Sequence, residues 1–463
     1  MPGDHDDAHP SFATVAASPP SDRPRLAPRP WLPPAAAERV AELTGALVGM
    51  DADAIDDRLA ADVHGARERY ARNAISLDPA ANVMNPKAEA LLASGLGSRP
   101  SLGPPGAKIE TGVEPLDAIE ATAAELAARL FDASFAEVRV LSGAMANLAT
   151  FLALAKPGDR IVVPPAAIGG HVTHHAAGAA GRIGLEVHPA PIDADGFTVD
   201  VDGVRELAQR IRPRLITLGG SLNLAPHPVA EVRAVADEVG ATLMFDAAHL
   251  SGPIAGAAWP NPLRDGAQVM TMSTYKSLGG PPGGLVLTND PVVAQRVEEA
   301  VFPGLTANFD AARVAALAVA LLDALVHGRA YAEAMVATAR ALGDALRERG
   351  LPVVVTRHGV TTSHQLALDA RRWGGGGAAA RRAARAGLLA CGIGLPLPEA
   401  VRDVNGLRLG VNEIVRRGMG PDGIPELADL LARALHGHEA PETVAPDVTA
   451  LRRRFDGLRF VRS

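Results

Sequence analysis

Two apolar runs near the middle of the chain each end on residues able to do chemistry. ATLMFDAAHL brings Asp246 and His249 to the end of the first, and AQVMTMSTYKSLGGPPGG brings Lys276 to the end of the second, bracketed by Ser273, Thr274 and Ser277. A lysine amine condenses with an aldehyde. A carboxylate beside a pyridine nitrogen keeps the ring protonated, and so able to accept electrons from a neighbouring carbon. Those are the two groups that pyridoxal phosphate requires of a protein. Taken singly, a strand-end Asp is more often a turn or cap residue and a lone Lys a solvated surface group, so the reading rests on the other parts of such a site.

A phosphate needs converging backbone N–H groups at a helix N-terminus. In LSGAMANLATFLAL the residues Ser142, Gly143 and Ala144 stand between a strand pattern and a strongly helical run, where the competing reading is N-capping by Ser142. The ring needs a partner on its face, and GGHVTHH offers His171, with His174 three residues on. Ser221 in LGGSLNLAP ends a further strand and suits the phenolic-oxygen side, and Ser273 joins the cofactor-binding set from the lysine's own strand. An amino acid substrate needs a clamp for its carboxylate, and only Arg offers a planar two-point fork. Arg408 in GLRLGVNEIVRRG takes that place, while Arg416 and Arg417 read as a charged helix surface.

Placing these residues at strand ends requires an α/β architecture, and the chain has its pattern. Helix IEATAAELAARLF, strand EVRVL, strand RIVV, strand LEVHPAPI, helix VDGVRELAQRI, strand RLITL and helix VAEVRAVADEVG lead into ATLMFD. Such alternation implies crossovers and a mostly parallel sheet covered on both faces, with ligands beyond the carboxyl ends of the strands. A long apolar helical region from about 309 to 349 must be buried. It leads into a smaller α+β unit with strands near PVVVT, HQLALDA and GLRLGV and a flexible turn at Gly374 to Gly377. The expected division is a disordered Pro-rich tail over 1–34, a helical arm over 35–75, a large cofactor-binding domain over 76–325 and a small C-terminal domain over 326–463. The Gly- and Pro-dense stretch 94–112 is a loop, long enough to be functional.

Composition narrows the partners. A formal charge of -7 gives no attraction to nucleic acid or to an anionic membrane. The acidic N-terminus and the lack of an apolar run of about 20 residues argue against export or membrane insertion, and a cytoplasmic protein with no metal is expected. The single cysteine, Cys391, excludes an intramolecular disulfide and reads as a small buried apolar residue.

Together these pieces resemble the serine hydroxymethyltransferase family, pyridoxal phosphate enzymes with the aspartate-aminotransferase-like fold (fold type I). The likeness runs from about Ser76 to the C-terminus. SGAMAN resembles the family's SGSxAN phosphate turn, GGHVTHH its GGHLTHG, FDAAHLSG its D-x-A-H-x-x-G strand end and STYKSLGGPPGG its TTHKTLRGPRGG; AVFPG and LRLGVNEIVRRG also have counterparts. The resemblance implies Lys276 as the Schiff-base lysine, Asp246 as partner of the ring nitrogen, His171 stacked on the ring, His249 and Ser221 near its oxygen, and Ser142 with Gly143 at the phosphate. It also implies Arg408 on the substrate carboxylate with Ser76 as a helper. A homodimer or homotetramer with a shared active site follows from it too, Gly304 reaching the partner's phosphate.

The departures bear on the reaction. Where the family has Y-A-E-G-Y-P-G-K-R-Y-Y, this chain has PSLGPPGAKIE: Leu102 stands at the position of the glutamate that moves protons, and Ile109 and Glu110 replace a tyrosine pair. Tyr275 replaces the histidine before the lysine. The machinery for pyridoxal phosphate is retained and that for tetrahydrofolate is not, with Glu110 or Tyr275 as substitutes for the proton transfer. The expected activity is aldol or retro-aldol chemistry, or hydroxymethyl transfer, between glycine and a β-hydroxy amino acid. The alternatives are a folate-independent threonine aldolase or transaldolase, transamination or racemisation, and, from another class, a catalytically silent relative.

Overall fold

The computed structural model describes residues 23–400 and 403–463. Residues 1–22 of the expected Pro-rich tail lie outside the described residues. Two compact units separate at 69 and 70. In the first, Pro34–Gly45 and Ala52–Glu68 are helices, the latter capped by the Asp51 carboxylate accepting from Ala54 N–H, and neither buries a residue.

The second unit is built on a seven-stranded sheet: β1 Phe135–Glu137, β2 Arg160–Val163, β3 Glu186–Pro189, β4 Leu215–Gly219, β5 Thr242–Asp246, β6 Val269–Ser273 and β7 Gly284–Thr288. The spatial order is β1-β7-β6-β5-β4-β2-β3, and β7 alone runs antiparallel to its neighbours. Strand alternation divides the side chains between two cores. Ile216, Phe245 and Met270 face helices Glu114–Phe131, Val201–Ile211 and Val229–Val239, while Leu215, Met244 and Val269 face Gly143–Leu154 and Pro291–Glu299. This is the mostly parallel, doubly covered sheet of fold type I.

The 38-residue helix Ala311–Glu348 is long and apolar enough to cross a membrane. Much of its apolar surface is instead packed inside the protein, with Leu325 and Val326 left exposed. Val314, Leu317 and Leu321 enter the core of the large sheet, and Tyr331, Met335, Leu342 and Leu346 enter a further core formed by β8 Gln365–Asp369, β9 Cys391–Ile393, β10 Gly406–Gly410 and the helices beside them. The boundary expected at 325 falls inside this helix, between the two sets of contacts.

Four local expectations need correction. The first strand pairs over 135–137 rather than 137–141, because Arg139 folds back onto the Glu137 carboxylate and only one further ladder bond, Gly284 N–H to Val140 O, follows. PVVVT forms only an isolated bridge, Val353 with Leu368: Pro352 has no N–H to donate and Thr356 turns tightly onto Gly359. Gly376 and Gly377 belong to the helix Gly376–Arg385, leaving only Gly374 and Gly375 in the turn. Arg416 is buried rather than a surface charge: it donates to the carbonyls of Val83 and Gly279 and lies over the Tyr331 ring.

Candidate active site

The carboxyl ends of β4, β5 and β6 open onto a cavity of about 140 Å³ bordered by Ser142, Gly143, Ala144, Asn147, His171, Gly220, Ser221, Asp246, Ala248, His249, Ser273, Tyr275 and Lys276. Nine of these were singled out from the sequence as site residues: Ser142, Gly143, Ala144, His171, Ser221, Asp246, His249, Ser273 and Lys276. Arg408 stands just behind, on β10, its Nη1 2.5 Å from the Ser221 carbonyl and 3.4 Å from His249 Nε2. Ser76 and Gly304 are not among the lining residues. Ser76 lies in a two-residue strand paired with Leu389 and its hydroxyl bonds the Glu413 carboxyl; Gly304 belongs to the turn Ala300–Leu305.

Asp246 is 2 % exposed. Its Oδ2 accepts from Asn147 Nδ2 at 2.9 Å and lies 3.0 Å from His174 Nε2, and its Oδ1 accepts from Ala248 N–H at 2.9 Å. Burial alone would push this carboxyl up, but the His174 hydrogen bond, then the electrostatic interaction with the two neighbouring imidazoles and the Ala248 N–H, outweigh it and hold it well below the usual range. Asp246 is therefore a fixed anion. Asn147 is itself oriented, donating to Thr173 Oγ1 and accepting from Thr271 Oγ1 at 2.6 Å. His171, half-buried, has its Nδ1 2.7 Å from the same Thr173 hydroxyl, and burial keeps it neutral.

Lys276 is buried three residues beyond β6, its Nζ 3.1 Å from His249 Nε2. Desolvation, partly offset by Asp246, brings its amine down to about 8. His249 is lowered as well: burial and then the cations Lys276 and Arg408 hold it far below its ordinary value, and Gln365 Nε2 sits 3.3 Å from its Nδ1. The hydroxyls that bracket the lysine divide their work. Thr274 donates to Pro281 O and Ser277 to His249 O, fixing the loop, while Ser273 faces the cavity.

At the opposite end, Ser142 Oγ caps the helix Gly143–Leu154 by accepting from Met145 N–H at 3.1 Å, which leaves the N–H groups of Gly143 and Ala144 without intrahelical partners. A Cβ on Gly143 would come 2.2 Å from Ser273 Oγ. An unshielded helix N-terminus, a fixed carboxylate and a buried low-pKa lysine around one cavity are the donor set that pyridoxal phosphate needs, so the residues fit the group. Gly143→Ala is expected to weaken cofactor binding roughly tenfold or more, since overpacking typically costs about 1–3 kcal/mol. Titration of apoenzyme by visible absorbance measures it, and an unchanged affinity would show that Ser273 yields freely.

Sequence reasoning did not assign Asn147, His174, Gln365, Asp78 or Cys391. Asn147 had a signal, standing four residues after Gly143 on the same helix face. Cys391 is not the apolar core residue expected of it: its Sγ receives Arg408 Nε at 3.3 Å and Nη2 at 3.0 Å, and bonds Asp78 Oδ1 at 3.4 Å. The loop 98–110 does not border the cavity. It closes on itself instead, Ile109 N–H donating to Leu102 O and Leu102 N–H to the Glu110 carboxylate at 2.8 Å. Of the two groups considered for proton transfer, Tyr275 lines the cavity and Glu110 does not.

A family model described as serine hydroxymethyltransferase matches residues 52–431. An alpha-methylserine aldolase of Variovorax paradoxus is 56% identical over 436 residues, 94% of this chain and 98% of its own length. One from Ralstonia sp is 53% identical over 434 residues, covering 94% and 99%. A serine hydroxymethyltransferase of Methanopyrus kandleri is 39% identical over 381 residues, covering 82% and 89%.

Proposed function

The chain belongs to the serine hydroxymethyltransferase family of pyridoxal phosphate enzymes, and from that membership we propose that it splits α-methylserine into alanine and formaldehyde, and runs the reverse aldol addition, without tetrahydrofolate. That it is a pyridoxal phosphate enzyme of aldol and retro-aldol chemistry on amino acids follows from the family and the relatives; the substrate and the independence from folate are the proposal. The observation that carries it is the identity of 53% and above, over nearly the whole chain, to relatives named for that substrate, against 39% to the hydroxymethyltransferase. The loop supports it: Leu102 supplies no proton, and Glu110 is spent on the Leu102 N–H.

When bound, the cofactor supplies an electron sink for the pair left on Cα. In the proposed site the N–H groups of Gly143 and Ala144 hold its phosphate, Asp246 keeps its ring nitrogen protonated and His171 covers its face. Arg408 takes the substrate carboxylate. Its Nε and Nη2 donate to the Cys391 sulfur, and its Nη1 donates to the Ser221 carbonyl and faces His249 Nε2, so a carboxylate would take the second Nη2 hydrogen and share Nη1 with His249. Lys276, its amine brought down to about 8 by burial, would hold the cofactor's aldehyde and carry a proton to or from Cα. His249 is held neutral between Lys276 and Arg408, so it orients these groups without adding charge. A homodimer or homotetramer is proposed with the same residues, the partner subunit closing the cavity and Gly304 extending toward the partner's phosphate.

The test is to incubate holoenzyme with α-methylserine, serine and threonine, each with and without tetrahydrofolate, and to assay formaldehyde and acetaldehyde. Formaldehyde from α-methylserine at a rate indifferent to folate is expected. Serine turnover that exceeds it and depends on folate would overturn the reading.

A further inference from the structure

An aldol cleavage needs a group to accept the β-hydroxyl proton; Leu102 at the loop position offers none, and Lys276 is assigned to the proton at Cα. Asp246 is locked into its hydrogen bonds with Asn147 and His174. Tyr275 holds its proton more tightly than usual, through burial and then the nearby Asp78 charge. His249 and His171 are kept neutral with depressed basicity.

We infer that Asp78 is the base for the β-hydroxyl proton, supplied from the chain's own first core segment in place of the loop glutamate. This rests on the aldol reading of the site. Asp78 lies 3.8 Å from Arg408 Nη2. Its Oδ1 carries the contacts that fix it, accepting Ala80 N–H at 3.0 Å and the Cys391 thiol at 3.4 Å. Oδ2 accepts no hydrogen bond from the described residues, and the side chain keeps 33% of its exposure. The backbone around it is pinned: Leu77 N–H donates to Leu389 O, Gly410 N–H donates to Leu77 O at 2.7 Å, and Pro79 packs so closely on Gly410 that a Cβ there would meet Pro79 Cβ at 2.4 Å. The carboxylate is thereby held beside the strand that carries Arg408.

The charged and titratable groups around Asp78 are Arg408, Cys391, Tyr275, Lys276 and Glu413. In the step, the O–H proton passes to Oδ2, the oxygen's pair forms the C=O of the departing aldehyde and the Cα–Cβ pair stays on Cα. Cα then takes a proton from Lys276, and solvent carries the Asp78 proton back to the lysine.

The test compares two reactions of holoenzyme Asp78→Asn. Aldehyde release from α-methylserine is expected to fall about 10²- to 10⁴-fold, while exchange of the alanine α-proton in deuterated water, which involves no β-hydroxyl, stays within about threefold, and the visible band is unchanged. Sodium formate is expected to restore part of the cleavage in Asp78→Ala. Equal loss in both reactions without formate rescue, or undiminished cleavage, would overturn the inference. If the wild type releases no aldehyde from α-methylserine but splits threonine, the functional reading fails, and the same ratio measured on threonine still decides the role of Asp78.

Discussion

Lys276→Ala is expected to abolish the visible absorbance band of the purified protein and to lower aldehyde release by about 10⁴-fold or more, the scale on which loss of a covalent-catalysis residue is felt. The lysine is buried, and its amine is lowered to about 8 because desolvation penalises the ammonium more than Asp246 favours it. At pH 8 roughly half is therefore free amine, where an ordinary lysine would be under about 1%. Capture of pyridoxal phosphate by the apoenzyme should rise with pH and level off above about 8. The same shift has a stability consequence of definite sign. The folded state binds its proton more weakly than the unfolded state, so between about 8 and 10.5 unfolding takes up protons and stability rises with pH. Below about 8 the full cost of the buried ammonium is present. Lys276→Met should accordingly raise the melting temperature of the cofactor-free protein at pH 7, the gain vanishing above pH 10.5. A wild-type band in Lys276→Ala, or a Met variant less stable than wild type at pH 7, would contradict this account.

How far the sequence disclosed this site follows from what each residue depends on. Asp246 and Lys276 end apolar runs whose residues are buried on both sides of a parallel sheet, and such runs are visible in one dimension. Ser142 was visible for the same reason, as a cap between a strand and a helix. The surroundings of Ser76 were not visible, because its segment is a two-residue strand whose neighbours lie more than 300 residues away, at Leu388 and Leu389. The partnership of His174 with Asp246 spans 72 residues, and that of Cys391 with Asp78 spans 313; no periodicity reports such pairs. Arg416 looks like its half-buried neighbour Arg417 in the sequence, and the carbonyls of Val83 and Gly279, brought from elsewhere in the chain, account for its burial. The loop 98–110 announced its departure from the family through Leu102 but not its direction, which is set by the hydrogen bonds that close it on itself.

Asp246→Asn is expected to lower turnover about 10³-fold or more while the protein folds and keeps its cofactor. The substitution preserves shape and removes the charge, and comparable isosteric losses of a buried anion that orients and stabilises a neighbouring cation fall in that range. The site also shows why no other group compensates: the described neighbours of Asp246 are the donors Asn147, His174 and Ala248, none of which can become an anion. Replacing the donor instead gives a graded effect. His174 makes the largest favourable contribution to keeping Asp246 ionised against burial. With the folded carboxyl held below its unfolded value, this group's stabilisation is present above the unfolded value and is lost as pH falls through the folded one. His174→Ala raises the folded value, so loss of activity on the acid side must move to higher pH, with full turnover approached again well above the new midpoint. A pH profile of turnover on α-methylserine separates the two variants: Asp246→Asn should be low at every pH, His174→Ala low only toward acid. An acid limb unchanged in His174→Ala, or an Asp246→Asn enzyme retaining more than about a tenth of wild-type turnover, would mean that the fixed anion on β5 is not what holds the ring in its electron-accepting form.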